Sequence, residues 1–324
     1  MNLLMLVIWM MVAMHAQPTT ASDPAAPGGV LEGKTQVLPE SGKSAAVESG
    51  TFKDADALLD ALETADADLR RLSAKIRYDR TFALAGDRQV RMGELNFISG
   101  EKREGRKFAV RFDTMQVGES LREEVKQYVF DGQWLVEKTP SEKRFVKRQV
   151  VPPGEKFDPL RVGEGFMPIP IGQKKADILA RYTATIAPAE EGLDDDGLKK
   201  QVIGCTQLKL TPRADLAEED QFAEIRLWYR SSEGKAKGVK LVPLLTRAVN
   251  IAEDVSLVWL IDVRTNADAE IATDALDTTT PSAKDGWEVI VRDYREGLRN
   301  SSGAPAATVE PQSRPETNVK NDAK

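Results

Sequence analysis

Apolar and polar positions alternate through most of this chain. Residues 107–113 (KFAVRFD) place Phe108, Val110 and Phe112 on one side and Ala109 and Arg111 on the other. That period of two is what a half-buried strand requires. A looser alternation runs through residues 74–84 and 90–98, where Leu95 and Phe97 share a face with Gly93. Residues 128–150 (YVFDGQWLVEKTPSEKRFVKRQV) read as three short strands. Asp131-Gly132 supplies the positive φ values of a tight hairpin turn, and Thr139-Pro140-Ser141 marks a second reversal. Tyr128 and Phe130 fall on one face, followed by Trp134 and Val136 as further apolar positions. Lys143, Lys147 and Arg148 are left for water.

A period near 3.6 governs residues 54–72 (DADALLDALETADADLRRL). Leu58, Leu62, Ala65, Leu69 and Leu72 form one stripe, which predicts an amphipathic helix with Thr51 or Asp54 as its cap. Residues 152–172 (PPGEKFDPLRVGEGFMPIPIG) hold too much Pro and Gly for a regular element, yet Phe157, Leu160, Phe166, Met167, Ile169 and Ile171 make the stretch apolar. Such a loop in a compact domain either packs on the core or acts as a lid over a ligand. A short helix at 176–182 follows, then an acidic segment, EEGLDDDG, that reads as a solvated turn. Strands resume at Val202 and include CTQLKLTP with Leu208 and Leu210, EIRLWYRS with Leu227, and DVSLVWLIDVRT; a terminal strand is expected at 287–293. The sum is about eleven strands in one mainly β (α+β) unit, an antiparallel meander and not a series of βαβ units.

Composition narrows the chemistry. The 324-residue chain opens on an uncharged apolar run from Leu3 to Ala13, shorter than a membrane span and followed by small residues. It reads as a secretory signal peptide spanning residues 1–21, cut after Ala16 or Ala21, with an uncleaved anchor as the alternative. Residues 22–50 and 299–324 lack apolar periodicity and read as a disordered linker and tail, leaving 51–298 as the folded domain. Charged residues make up 30% of the chain and the net charge is −6, so nucleic-acid binding is not expected. His15 and Cys205 are the sole residues of their types. A Ser-His-Asp or Cys-His catalytic set therefore cannot be assembled, and no metal site or cofactor is expected.

The order of these features resembles a known family. The leading helix, the strands of GELNFISGEKREGRKFAVRFD, the YVFDGQWLVEK hairpin, the GFMPIPIG loop before a short helix, TQLKLTPRA and the closing GWEV strand follow one another as in the periplasmic outer-membrane lipoprotein carriers (the LolA/LolB-like lipoprotein localisation superfamily). The resemblance implies a curved antiparallel sheet forming an incomplete β-barrel, covered by the N-terminal helix and by a middle helix and loop acting as a lid. It implies an apolar cavity for acyl chains, and hence a carrier, not an enzyme, that moves a lipoprotein or lipid across the periplasm.

On periodicity alone, Leu95, Phe97, Phe108, Val110, Phe112, Tyr128, Phe130, Trp134, Leu208, Leu210 and Leu227 are packed core; the resemblance implies that several of them line the cavity. The family's lid arginine corresponds to Arg103 or Arg106, although its Arg-Pro context is missing here. Phe166, Met167 and Ile169 are the candidate lid residues of the apolar loop. The basic pairs Lys102-Arg103, Arg106-Lys107, Lys143-Arg144 and Lys147-Arg148 protect strand edges or rim a mouth that meets anionic lipid. Expected partners are an acylated lipoprotein or lipid cargo, with an inner-membrane donor and an outer-membrane acceptor, the protein itself being a monomer. The alternatives are a periplasmic sensor that binds a protein partner on the same fold, and a carboxylate-based hydrolase.

Overall fold

The computed structural model describes residues 52–67, 69–100, 105–152, 162, 171, 174–217, 220–230 and 242–294. The signal-peptide, linker and tail readings lie outside these residues. Among the described residues, three α-helices are formed by Ala55–Asp66 (α1), Lys175–Arg181 (α2) and Asp196–Gln201 (α3). The strands are Arg71–Thr81 (β1), Arg88–Ile98 (β2), Lys107–Val117 (β3), Ser120–Phe130 (β4), Trp134–Thr139 (β5), Arg144–Gln149 (β6), Tyr182–Ala187 (β7), Cys205–Pro212 (β8), Phe222–Arg230 (β9), Pro243–Asn250 (β10), Val255–Thr265 (β11) and Glu288–Arg292 (β12).

All twelve strands belong to one sheet, in the order β12-β6-β5-β4-β3-β2-β1-β11-β10-β9-β8-β7. Two antiparallel meanders, β1–β6 and β7–β11, are joined where β1 pairs with β11. The terminal strands β7 and β12 do not pair with each other, so the curved sheet stays open. The final strand departs from the meander expected from sequence, because β12 runs parallel to β6, from Glu288 opposite Arg144 to Arg292 opposite Arg148. A parallel pair needs a crossover. Here β7–β11 intervene in the chain between β6 and β12, and residues 266–287 carry it back from β11, laying Leu276 and Trp287 over Ala109, Val129, Val136 and Phe145 on the outer face.

The first helix is shorter than the predicted 54–72. Asp54 caps it, its Oδ1 accepting the Ala57 N–H at 2.9 Å, and it ends at Asp66. Leu69 and Leu72 are buried, but against the sheet, with Leu72 alternating with Ala74 and Ile76 in β1. One apolar stripe thus served a helix and the strand after it. The acidic segment also differs from a free turn. Leu193 is buried, and Asp195 caps α3 through the Leu198 N–H at 2.8 Å. Gln207 Nε2 donates to the Pro188 carbonyl at 2.7 Å and Trp228 Nε1 to the Ala189 carbonyl at 2.6 Å, anchoring this segment to the outer face.

Candidate functional site

Strand pairing divides the sheet into an outer face, covered as above, and an inner face covered by α1, α2 and the chain around Val151, Val162 and Ile171. Leu95, Phe97, Phe108, Val110, Phe112 and Phe130 meet on the inner face in one cluster with Leu72, Ile76, Leu135, Val258 and Leu260. Phe108 and Phe130 stack with ring centroids 5.6 Å apart, and Tyr78 lies 6.1 Å from Phe112. Tyr128, partly buried, packs on the edge of the same cluster. Leu208, Leu210 and Leu227 belong to a second inner cluster, beneath Leu58, Leu59 and Leu62 of α1 and Ile178 of α2. In this conformation these side chains are packed against one another.

Trp134 is the exception among the predicted lining residues. The hairpin pairs Phe130 with Leu135 across Gly132 and Gln133, one residue later than the expected Asp131-Gly132 centre. Gly132 has φ 107°, while Asp131 organises the turn by accepting the Gln133 and Trp134 N–H groups at 3.0 and 2.8 Å. A two-residue loop brings the odd positions of the second strand beside the even positions of the first. Leu135 therefore joins Phe130 on the inner face. Trp134 falls outside, on the side of Val136, with the Lys147 ammonium 5.4 Å from its ring centroid.

The inner face is not apolar throughout. Arg91 pairs with Tyr78, Arg122 with Met115, Lys126 with Phe112, Glu137 with Tyr128 and Arg148 with Leu135. Directly opposed residues project from the same face, so these charged groups share the inner side with the aromatic cluster. Glu124 bridges Arg91 at 2.9 Å and Arg122 at 2.8 Å. Glu137 bridges Lys126 at 2.9 Å and approaches Arg148 at 3.8 Å. Burial alone would raise the Glu124 carboxyl, but Arg91 and Arg122 outweigh it and hold the group below its ordinary value. For Lys126, burial works against the charge, yet Tyr128 and Glu137 carry the ammonium above its usual value. Arg148 goes the other way: burial, helped by Arg292 and Arg144, outweighs Glu137 and lowers it. Burial also pushes the Tyr128 phenol up. Sequence alternation hid this sector, because charges on a strand read as its solvent face.

Of the lid candidates, Arg103, Phe166, Met167 and Ile169 lie outside the described residues. Arg106 is described: its Nη1 donates to the Ile171 carbonyl at 3.3 Å, tying the start of β3 to the end of the apolar loop. Of the basic pairs, Arg148 projects inward, whereas Lys147 lies over Trp134 outside. A cavity of about 250 Å³ opens on the outer face between α3 and the sheet, with Arg77, Asp79, Arg88, Leu257 and Trp259 among its walls. None of the predicted lining residues borders it. Cys205 is buried at the start of β8, and burial raises its thiol above the ordinary value. Among the described residues no helix is long and apolar enough to cross a membrane.

No protein-family model matches the chain, and no curated protein matches it. Among solved structures, it is similar to an uncharacterized conserved protein from Thermus thermophilus, at 14% identity over 74% of this chain and 99% of that one, with a TM-score of 0.37. The MucA/MucB complex of Pseudomonas aeruginosa matches at 16% identity over 69% of this chain and 61% of the other, TM-score 0.37. A LolA superfamily protein from Nitrosomonas europaea matches at 9% identity over 70% and 99% of the two chains, TM-score 0.31. Likeness at this level carries no functional argument.

Proposed function

We propose that this protein is a periplasmic carrier that shelters the acyl chains of a lipoprotein or lipid against its inner face and moves them between membranes. The observation that supports this reading is the make-up of that face. Among the described residues, its two apolar clusters run along an open sheet and are covered by α1, α2 and Val151, Val162 and Ile171, not by a second sheet. Covers of this kind can separate from the sheet without breaking a strand ladder. The need for shelter is physical: each exposed CH₂ costs about 0.8 kcal/mol in water, so an acyl chain of about sixteen carbons is opposed by roughly 12 kcal/mol.

One end of the sheet suits exchange with a bilayer. Thr81 pairs with both Arg88 and Val255, and Gln89 with Val117, which brings the β1–β2, β10–β11 and β3–β4 turns to the same end. Each exposes an aliphatic residue there: Leu84, Ile251 and Leu121. The test is native mass spectrometry of protein taken from its own envelope, followed by lipid extraction. A carrier retains a stoichiometric acylated species. A clean apo mass with a co-purifying protein would replace this reading with that of a sensor.

A further inference from the structure

Around Glu124 and Glu137, the charges described on the inner face leave a positive surplus. Arg91, Arg122, Lys126 and Arg148 supply four positive charges, against two negative ones on Glu124 and Glu137. Among the described residues, Arg91 Nη1 and Arg148 Nε are enclosed without a hydrogen-bond partner. A buried donor without an acceptor is costly, and a buried excess of like charge more so. Both costs fall if an anion with several acceptor oxygens enters.

The arrangement is also graded. Along β4 side-chain exposure falls from 60% at Arg122 through 21% at Glu124 to 13% at Lys126, while Arg91, level with Arg122 across Met115, is 9% exposed and Arg148 11%. Arg122 stands next to Leu121 near the β3–β4 turn, the end where the aliphatic tips gather. Along β4 from there, the inner face changes from Arg122 through Lys126 and Tyr128 to Phe130, which stacks on Phe108. Charge at the mouth and aromatic side chains at depth match the two ends of an amphiphile.

From this juxtaposition we infer that Arg91, Arg122, Lys126 and Arg148 form a head-group site selecting an anionic amphiphile, bearing carboxylate or phosphate, whose acyl chain lies along Phe112, Phe108 and Phe130. The inference rests on the carrier reading and adds the cargo's charge to it. The lowered basicity of Arg148, which burial and the neighbouring arginines cause against the pull of Glu137, agrees with a cation that Glu137, shared with Lys126, only partly balances.

The experiment compares matched charged and neutral amphiphiles by displacement of a neutral fluorescent lipid at fixed ionic strength: oleate against methyl oleate, and lysophosphatidate against monooleoylglycerol. Binding of the two anions at least tenfold tighter than their neutral partners is expected, about 1.4 kcal/mol. Arg122→Gln, at the most exposed of the four positions, should weaken the anions about threefold while the neutral lipids, which offer it no charge, keep their affinity. Arg91→Gln with Arg148→Gln should bring the two classes together, with circular dichroism checking that this variant folds. Equal affinity of charged and neutral lipids for the wild-type protein overturns the inference while sparing the carrier. An Arg122→Gln variant that weakens both classes alike does the same. Failure of all four lipids to bind overturns both readings.

Discussion

Glu124 is held in its charged form by two arginines, despite a burial that alone would favour the neutral acid. A carboxyl whose folded value lies below its unfolded one contributes stability above the unfolded value. That contribution is lost as pH falls through the folded value. Glu124→Gln should therefore be less stable than the wild type at pH 7, and the two denaturant midpoints should converge as pH drops below about 4, the ordinary glutamate range. A gap that stays constant down to pH 3 would mean the arginines do not depress this carboxyl. Residues of this kind were the least legible in the sequence. Alternation located Leu95, Phe97, Phe108, Val110 and Phe112 on a buried face, since apolar burial is what the period of two reports. The same rule left Arg148 for water, because a charge satisfied by a cross-strand neighbour looks like any other charge in one dimension.

Turns and bulges decide which face an element presents, and here single residues set the outcome. The two-residue loop at Gly132-Gln133 sends Trp134 outward and Leu135 inward, a parity that the apolar pattern YVFDGQWLV does not disclose. Gly93 acts on the other side of β3. The β2–β3 register shifts between Met92 and Gly93, and a Cβ placed on Gly93 would sit 1.8 Å from the Arg111 carbonyl oxygen. Glycine here lets two backbones approach at a bulge, which bends the strand. Gly93→Ala should cost about 1–3 kcal/mol, as overpacking does. The check is a lower urea midpoint with an unchanged slope against denaturant. An unaffected midpoint would show that the bulge relaxes freely and that glycine is not what sets the curvature. The early helix teaches a related lesson: the Leu58-to-Leu72 stripe extended past Asp66 because a helix and a strand that bury one side each can share a continuous apolar spacing.

At the scale of the molecule, the two faces are covered by different physics. On the outer face the covers are held by directional bonds to the sheet. Gln127 Nε2 donates to the Ala275 carbonyl at 3.4 Å and Lys143 Nζ to the Asp285 carbonyl at 3.0 Å, while Arg226 Nη1 reaches Glu191 Oε1 at 2.9 Å. On the inner face, α1 and α2 are bound to each other, with Lys175 Nζ bridging Asp56 at 2.7 Å and Asp60 at 2.8 Å. They meet the sheet chiefly through Leu58, Leu59, Leu62 and Ile178, with directional bonds only at the end of α2, where Arg181 Nη2 donates to Asp220 at 3.1 Å and the Arg181 carbonyl accepts the Arg213 N–H at 2.9 Å. Apolar contact is non-directional and can be replaced by an acyl chain at little cost, whereas a bond lost from a buried donor cannot. The inner covers should then be the part that responds to cargo. In hydrogen exchange with and without bound amphiphile, amides of α1 and α2 and of the inner-face strands β1–β4 should change protection together, while residues 266–287 and α3 keep theirs. Change confined to α3 and its neighbours β1, β10 and β11 would instead put the ligand in the outer cavity beside Trp259, and the inner face would revert to an ordinary core.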